Sequence, residues 1–291
     1  MKRILITGKN SFIGTCFRNM FHDQFRIEEA CLVENKPEEI DFSGYDVVFH
    51  VAAIVHSTKQ VSRETYFRVN SDLAVEAAEH AKKAGVTQFV FMSTVKVYGE
   101  YTEPGKPWTE TSECHPVDPY GESKLDAEKR LNSLNNEEFK VSILRTPVVY
   151  GPGVKGNIGS LLKLTDKLPW IPLGNIPNKR CFIYSGNLIS LIYTIIRKDK
   201  PGIFLAAENN GISTTSLVTA MANEFGNKKI IPLPGIARLA LEKIKPSVHQ
   251  RLFGYLELDN SLTRERLAFS PPYTLEQGIR ETVHWYLNQK K

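Results

Sequence analysis

Short apolar runs recur along the first half of the chain and are separated by longer amphipathic or polar stretches. These runs lie at Arg3–Thr7, 45–53, Gln88–Thr94 and 140–145, and a second strand is expected near 25–33, between the first two of them. Short segments that are largely apolar are typical of strands buried on both faces of a parallel sheet. We therefore predict a parallel strand at each of these places.

Amphipathic stretches follow three of the apolar runs and predict helices at 15–21, 71–84 and 119–134. Gly85 can end the second helix, because glycine readily adopts the positive φ angle of a residue that follows a helix. Pro119 can begin the third helix, because its fixed φ angle suits a first turn. The alternation predicts an open α/β fold, a doubly wound parallel sheet with helices on both faces.

Composition limits the classes of function. The chain has 291 residues, 42% of them hydrophobic, which is enough for one large domain or two interleaved domains. Its net charge of +5 is small and we expect it to be dispersed, so no nucleic-acid partner is expected. The longest apolar stretch, 47–55, is too short to span a bilayer, and no targeting segment is evident. We expect a cytoplasmic protein without a membrane partner.

The four cysteines are Cys16, Cys31, Cys114 and Cys181, and their spacing matches neither a metal site nor a redox motif. We interpret them as reduced thiols, which is consistent with a cytoplasmic protein, and we predict no metal site.

A glycine loop joins the first predicted strand to the first predicted helix. This order of strand, glycine turn and helix forms the phosphate-binding corner of dinucleotide folds, where backbone N–H groups at the helix start bind the pyrophosphate. Ser11 stands where a middle glycine is usual. The predicted cofactor-binding residues of this loop are Gly8, Lys9, Ser11, Phe12, Ile13 and Gly14.

Two features bear on whether the dinucleotide is NAD or NADP. A ribose-binding acid is expected about 20 residues after the loop, and Glu34 lies there, with a solvated loop acid as the alternative interpretation. Lys9 and Arg18 could instead meet a 2′-phosphate, so NADP is favoured over NAD while both stay open. The second strand–helix unit is short, and we predict that Asp41 and Phe42, which follow it, flank the adenine.

Two strand ends supply further candidate site residues. Ligands bind at the carboxyl ends of strands in parallel sheets of this kind, and the run at Gln88–Thr94 ends in the hydroxyls of Ser93 and Thr94. The run at 45–53 ends in small residues that allow the chain to approach a cofactor. These predicted cofactor-binding residues are Ala52, Ala53 and Ile54.

Tyr120 and Lys124 are separated by one helical turn and therefore share a helix face. An ammonium close to a phenol favours the phenolate, which suits proton transfer with an alcohol or ketone. About one Tyr-x-x-x-Lys is expected by chance in such a chain, and a second one joins Tyr286 to Lys290. Only Tyr120 follows a strand that ends in hydroxyls and begins a proline-started helix, so we predict that Tyr120 is the functional residue.

The motifs occur in a fixed order at consistent spacing. They are Thr7-Gly8-x-x-x-Phe12-Ile13-Gly14, Val51-Ala52-Ala53, Asn70, Ser93-Thr94-x-x-Val97-Tyr98-Gly99, Tyr120-x-x-x-Lys124 and Arg145-x-x-x-Val149-Tyr150-Gly151-Pro152-Gly153. Together they resemble the extended short-chain dehydrogenase/reductase family, in its nucleotide-sugar epimerase, dehydratase and reductase branch, over essentially the whole chain. The resemblance implies a Rossmann domain with a smaller C-terminal α/β substrate domain.

The resemblance also implies roles for individual residues. Thr94 would hydrogen-bond the reacting oxygen, Tyr120 would be the acid or base, and Lys124 would bind the nicotinamide ribose and lower the tyrosine pKa. Asn70 would shape the backbone of the site or a proton relay, and Pro147 would lie against the cofactor.

The C-terminal part resembles a sugar-nucleotide domain. The implied boundaries are 1–153 for the cofactor domain, 181–200 for a segment that returns to it, and 154–180 with 201–291 for the substrate domain. The implied substrate-binding residues are Thr94, Lys96, Tyr120, Asn157, Arg180 and Arg251, with an exposed surface residue as the alternative for Lys96 and Arg251.

The residues after Thr94 restrict the chemistry that the resemblance allows. Sugar dehydratases of this family place an acidic pair there, and enzymes that epimerise C3 and C5 place a cysteine at the second position, whereas this chain has Val95 and Lys96. Hydride transfer at C4 remains. The Ser-Thr-Val-Lys-Val pattern, together with the compact length of the chain, most resembles NAD(P)H-dependent reductases of UDP-4-keto-6-deoxy-N-acetylhexosamines, which serve surface polysaccharide synthesis.

Two alternatives stay open. One is a UDP-hexose or UDP-N-acetylhexosamine 4-epimerase with tightly bound NAD, and the other is a non-catalytic cofactor-binding regulator. In proteins of this kind the helices predicted at 71–84 and 119–134 pair into a four-helix interface, so the resemblance also implies a homodimer.

Overall fold

The strands and helices follow from a computed structural model that describes residues 1–32, 36–55, 61–208 and 211–290. The strands are β1 (Arg3–Thr7), β2 (Arg26–Ala30), β3 (Val47–His50), β4 (Gln88–Thr94), β5 (Lys140–Thr146), β6 (Val148–Tyr150), β7 (Trp170–Gly174), β8 (Phe182–Tyr184), β9 (Gly202–Leu205) and β10 (Lys229–Pro232). The helices are α1 (Phe12–Phe21), α2 (Arg63–Phe67), α3 (Leu73–Lys83), α4 (Pro119–Ser133), α5 (Gly156–Lys167), α6 (Ser185–Lys198), α7 (Thr214–Phe225), α8 (Gly235–Ile244), α9 (Pro246–Phe253), α10 (Ser261–Leu267) and α11 (Leu275–Asn288).

The main sheet is parallel, with strand order β2-β1-β3-β4-β5-β9. Successive strands are added in one direction from β1 and in the opposite direction from β3. Ligands of such sheets bind in the crevice that this reversal leaves between β1 and β3, at the carboxyl ends of the strands. The predicted Rossmann-like α/β fold is therefore confirmed. The short second unit is also confirmed, because a 3₁₀ turn at Pro37–Glu39 stands where a helix would usually connect β2 to β3.

Alternate residues of the buried strands pack on opposite faces of the sheet. Ile4 and Ile6 of β1 belong to the core that α1 and α6 cover, together with Phe17. Leu5 belongs to the core that α3 and α4 cover, together with Val48. Helices on both faces explain why these strands are apolar throughout rather than alternating in polarity.

The predicted helix bounds shift where the structure uses local caps. The helix predicted from residue 15 begins at Phe12, because the Ser11 side chain accepts a hydrogen bond from Gly14 N and caps it. The helix predicted at 71–84 is preceded by a π-helical segment at Arg68–Asp72. Such π-segments are often found at functional sites.

The second half adds two small parallel sheets, β6 with β8 and β10 with β7. The chain then returns to the main sheet through α6 and β9, where β9 pairs with β5. The returning segment therefore extends to Leu205, beyond the predicted boundary at residue 200, because the edge of β5 is completed by this strand.

Among the described residues, no helix is long and apolar enough to cross a membrane. The cysteines Cys16, Cys31, Cys114 and Cys181 are free thiols.

Candidate active site

The carboxyl end of β4 meets the start of α4. Thr94 ends β4 and its hydroxyl accepts a hydrogen bond from Lys96 N at 3.3 Å, which caps a short 3₁₀ turn. Asp118 caps α4 by accepting a hydrogen bond from Gly121 N at 2.7 Å. These two caps bring Thr94 beside Tyr120 in the first turn of α4, where their side chains are hydrogen-bonded.

The Tyr120 phenol lies in a desolvated position. Burial, together with the nearby Asp118 and Tyr66, raises its pKa to about 12, although the hydrogen bond with Thr94 opposes this shift. The net direction is opposite to the lowering expected from Lys124. The Thr94 hydroxyl can nevertheless hold the phenol in one orientation for proton transfer.

Lys124 explains this difference, because its Nζ donates a hydrogen bond to a backbone carbonyl rather than to the phenol. The side chain is 1% exposed, its Nζ donates to Met92 O at 2.8 Å, and it lies 4.3 Å from the centre of the Phe91 ring. Burial lowers the pKa of Lys124 to about 7, and the Glu128 carboxylate opposes this shift.

His50 is a buried residue of this site that was not predicted from sequence. Its Nδ1 is 2.9 Å from Thr7 Oγ1, and its ring stacks near Phe89 and Phe91. Burial, together with the Lys124 cation, lowers the pKa of His50 to about 3, so the imidazole is neutral. A neutral His50 avoids placing a second cation in the region that already holds Lys124.

A buried ion pair supports the carboxyl ends of β4 and β5 and was also missed. Glu128 lies one turn after Lys124, and Arg145 Nη2 donates to its carboxylate at 2.6 Å. Ser93 Oγ donates to the same carboxylate. The exposed fractions of the Arg145 and Glu128 side chains are 5% and 3%. The network therefore connects β4, α4 and β5 immediately behind the catalytic candidates.

Asn70 lies in the π-helical segment and is fully buried. Its Oδ1 accepts from Ile54 N at 2.8 Å, and its Nδ2 donates to Ile54 O at 3.0 Å and to Ser123 Oγ at 3.1 Å. These contacts hold the chain after β3 against α4. This geometry suits the backbone-shaping role expected for Asn70.

The glycine corner has the close approach that a dinucleotide phosphate requires. Gly8 has φ +131°, and a Cβ added there would lie 2.8 Å from Ala52 N. A Cβ on Gly14 would lie 2.6 Å from Ser11 Oγ. Uncharged residues, including Phe12, form the first turn of α1, so its N–H groups can meet an anion. Ser11 thus serves as a helix cap where a middle glycine is usual, and the corner fits a dinucleotide.

Replacing Gly8 by alanine is expected to lower both stability and cofactor affinity. The new Cβ would collide with Ala52 N, and alanine disfavours φ near +131°. Thermal unfolding with and without NAD measures both effects. Gly85→Ala is the matched control, because Gly85 also has positive φ but open space around it. Equal NAD affinity in the Gly8→Ala and Gly85→Ala variants would contradict the assignment of the corner.

A cavity of about 290 Å³ lies beside the glycine corner, where an adenosine ribose would fit. It is lined by Lys9, Glu28, Glu39 and Asp41, among others. Hydrogen bonds from the Ser43 side chain and backbone hold the pKa of Asp41 below its usual value, so Asp41 is charged at neutral pH. The electrostatic character of this cavity is therefore acidic.

The other residues predicted near the adenosine lie in different surroundings. Arg18 forms an ion pair with Glu29 at 3.0 Å. Phe42 is 2% exposed and packs in the core under α3, rather than lining the cavity beside Asp41. Glu34 lies outside the described residues.

A second cavity, of about 450 Å³, brings together three residues predicted to bind the substrate. Asn157, Arg180 and Arg251 all line it, and Arg251 Nη1 donates to Asn157 Oδ1 at 3.2 Å. Burial lowers the pKa of Arg180, while the Glu100 carboxylate opposes this shift. Two guanidinium groups in one cavity can bind a diphosphate.

Lys96 lies between the end of β4 and the start of α4. Its Nζ donates to Glu100 at 2.8 Å and to Asp118 at 2.6 Å, so it supports the residue that caps α4. Pro147 is buried between β5 and β6. The rival tyrosine, Tyr286, lies on the C-terminal helix and donates to Asp166 at 3.2 Å.

Residues 4–207 match the model of the "NAD dependent epimerase/dehydratase family". The chain belongs to this family. Membership makes it one of a group of sugar-nucleotide epimerases, dehydratases and reductases that use NAD or NADP. Particular residue roles stay predictions within this family.

The chain is 32% identical to a UDP-glucose 4-epimerase of Vibrio cholerae, over 98% of this chain and 96% of the relative. It is 27% identical to the N-acetyl-alpha-D-glucosaminyl-diphospho-ditrans,octacis-undecaprenol 4-epimerase of Escherichia coli O157:H7, over 99% and 96%. The UDP-N-acetylglucosamine 4-epimerase of Methanobrevibacter ruminantium M1, solved with UDP-N-acetylmuramic acid, has a TM-score of 0.80 at 20% identity, over 99% of both chains. The last likeness supports the fold.

Proposed function

We propose that this member of the family oxidises and reduces C4 of a UDP-linked hexose or N-acetylhexosamine, and that it works as a 4-epimerase with bound NAD. The observation that carries the proposal is the Thr94–Tyr120 hydrogen bond at the carboxyl end of β4, next to buried Lys124. The 32% identical relative over nearly the full length is a UDP-glucose 4-epimerase, which supports the choice of epimerase.

The chain's own residues would manage the proton at O4. Tyr120 would accept the proton of the C4 hydroxyl and return it, while the Thr94 hydroxyl orients the same oxygen. Accepting hydride from C4 and returning it is the chemistry that bound NAD supplies. Lys124 would move from Met92 O to hydrogen-bond the nicotinamide ribose, and a cation there would favour the tyrosinate.

Val95 and Lys96 occupy the positions next to Thr94 where elimination would need an acid and a base. Lys96 Nζ donates hydrogen bonds to Glu100 and Asp118, so this position holds a hydrogen-bond donor rather than the carboxylate that elimination would require. The proposal accordingly confines the chemistry to C4. In the second cavity, Arg180 and Arg251 would bind the substrate diphosphate.

The acidic ribose cavity supports NAD rather than the NADP favoured from sequence. A 2′-phosphate would meet Glu28, Glu39 and Asp41, whereas a 2′-hydroxyl can donate a hydrogen bond to a carboxylate. Of the two cations expected to bind a 2′-phosphate, Arg18 is paired with Glu29 and Lys9 remains.

We expect NAD to bind about tenfold or more tightly than NADP, because like charges repel at the 2′ position. The paired replacement Glu39→Gln/Asp41→Asn should reduce this preference. Titration of both dinucleotides by calorimetry measures it. Glu38→Gln, an exposed acid outside the cavity lining, is the control. Equal affinity of the native protein for the two dinucleotides would contradict the choice of NAD.

A 4-reductase is the second candidate, and the Ser93-Thr94-Val95-Lys96-Val97 pattern favours it. The two candidates differ in cofactor turnover. An epimerase interconverts UDP-glucose and UDP-galactose, or their N-acetylated forms, without net change of NAD. A reductase consumes added NAD(P)H only when a 4-keto UDP-sugar is present. NMR of the sugar products, with absorbance at the NADH band, separates these results, and activity in neither assay would refute the C4 proposal.

The predicted homodimer remains a proposal. The proposed interface consists of α3 and α4. Within the chain, the π-helical segment that precedes α3 contacts α4 through the hydrogen bonds of Ser71 with Asp126 and Arg130. Sedimentation equilibrium of the purified protein tests it.

A further inference from the structure

Helix α8 stands apart from the rest of the fold because it has no buried face. None of its residues, all of which the structure describes, is buried. The exposed fractions are 85% for Ile236, 60% for Leu239 and 75% for Ile244. Ile236 and Ile244 are two helical turns apart, and Leu239 lies beside them, so the three share one outward side. Large aliphatic side chains this exposed usually mark a contact surface.

Positive charge is concentrated in a longer stretch around α8, residues 228–251, which includes β10 and most of α9; this corrects the expectation of a dispersed charge. Residues 228–251 contain six basic residues and one acidic residue, a local net charge of +5 that equals the net charge of the whole chain with histidine neutral. The basic residues are Lys228, Lys229, Arg238, Lys243, Lys245 and Arg251. The remainder of the chain is therefore electrically balanced.

The neighbouring helix α9 fixes where this surface lies. The Arg238 guanidinium is 4.6 Å from the Phe253 ring centre, which holds α8 against α9. On α9, Val248, Arg251 and Leu252 line the cavity assigned to the substrate diphosphate. The exposed side of α8 thus lies one helix away from that cavity.

We propose that α8 binds the surface of an anionic lipid bilayer, with Ile236, Leu239 and Ile244 entering the headgroup region and the exposed Lys243 and Lys245 at its C-terminal end meeting lipid phosphates. A helix with an exposed apolar side and basic flanks matches such a surface in both respects. A second copy of the chain would oppose two patches of +5, and nucleic acid offers nothing to cover the aliphatic side chains. The inference goes beyond C4 chemistry and does not depend on it.

The test is sedimentation of the purified full chain with vesicles, without any sugar nucleotide. One set contains equal parts of phosphatidylglycerol and phosphatidylcholine, and the other contains phosphatidylcholine alone. We expect binding to the anionic set only, and its loss in 1 M salt, where the screening length is about 3 Å. Ile236→Glu/Ile244→Glu should lower the partition coefficient about tenfold or more.

The matched control is Met20→Glu/Leu262→Glu, which adds the same charge at exposed apolar positions on α1 and α10. It should bind vesicles like the native chain, and far-ultraviolet circular dichroism checks that both variants are folded. Binding that ignores lipid charge, or that Ile236→Glu/Ile244→Glu leaves unchanged, would overturn the proposal. So would native self-association that this variant abolishes without any vesicle binding. Because no turnover is measured, failure here leaves the 4-epimerase proposal standing.

Discussion

Replacing Tyr120 by phenylalanine is expected to lower kcat by about 10²- to 10⁴-fold, the usual contribution of a positioned acid or base. The hydroxyl that would exchange a proton with O4 is lost, along with its hydrogen bond to Thr94. The aromatic ring keeps its place against Tyr66, whose ring centre is 6.4 Å away, so the start of α4 should be preserved. Steady-state kinetics with UDP-sugars and calorimetric titration of NAD measure the two effects separately.

The chain supplies its own control in the second Tyr-x-x-x-Lys. Tyr286 lies on the C-terminal helix, and Tyr286→Phe removes the hydroxyl that donates to Asp166 of α5. This change should leave kcat within about twofold of native. A Tyr120→Phe variant that turns over at the native rate would refute the acid–base assignment. Loss of NAD affinity without loss of kcat would instead assign Tyr120 to cofactor binding alone.

Replacing Arg145 by methionine is expected to lower the free energy of unfolding by about 3–5 kcal/mol, because the Glu128 carboxylate would stay buried without its cation. Ser93 would still donate one hydrogen bond, which cannot replace the guanidinium. The double variant Arg145→Met/Glu128→Leu should recover much of this loss, since replacing a buried pair by apolar residues is often close to neutral. Urea denaturation, followed by circular dichroism, gives the values.

An exposed pair provides the comparison. Arg130 donates to Asp72 at 2.7 Å, and their side chains are 42% and 39% exposed. Arg130→Met should therefore cost about 0–1 kcal/mol. If Arg145→Met lowered the free energy of unfolding no more than Arg130→Met does, the Glu128–Arg145 pair would not stabilise the carboxyl ends of β4 and β5 as its burial indicates.

Local patterns in the sequence were reliable where short-range forces decide the structure. Strands β1 and β4 have the predicted bounds, because continuous apolar runs can be buried only between two layers of helices. The start of α4 at Pro119 was likewise predicted from the conformational preference of proline. Helix α1 begins at Phe12, earlier than predicted, because Ser11 caps it. In the sequence, Ser11 stands out only as a departure from the usual glycine pattern.

Contacts between distant segments could not be read in the same way. The partner of Glu128 is Arg145 on another element, and nothing in the spacing of either residue distinguishes a buried pair from two surface charges. Phe42 and Asp41 were predicted together to flank the adenine, but Phe42 is buried in the core whereas Asp41 lines the cavity beside the glycine corner. From sequence, Lys96 could be a substrate contact or a surface residue. Its ion pair with Asp118 depends on the packing of the start of α4 beside the end of β4, which the sequence does not show.

Tyr120 and Lys124 illustrate the division between the two kinds of information. Their separation by one turn and the order of strand, glycine corner and helix follow from the sequence, because helix periodicity and parallel-sheet patterning are local properties. The protonation of the pair depends on tertiary structure, because pKa values respond to burial and to charges brought from other elements. Burial raises the pKa of Tyr120, and Met92 O rather than the phenol accepts a hydrogen bond from Lys124. The exposure of the aliphatic side chains of α8 likewise required the fold.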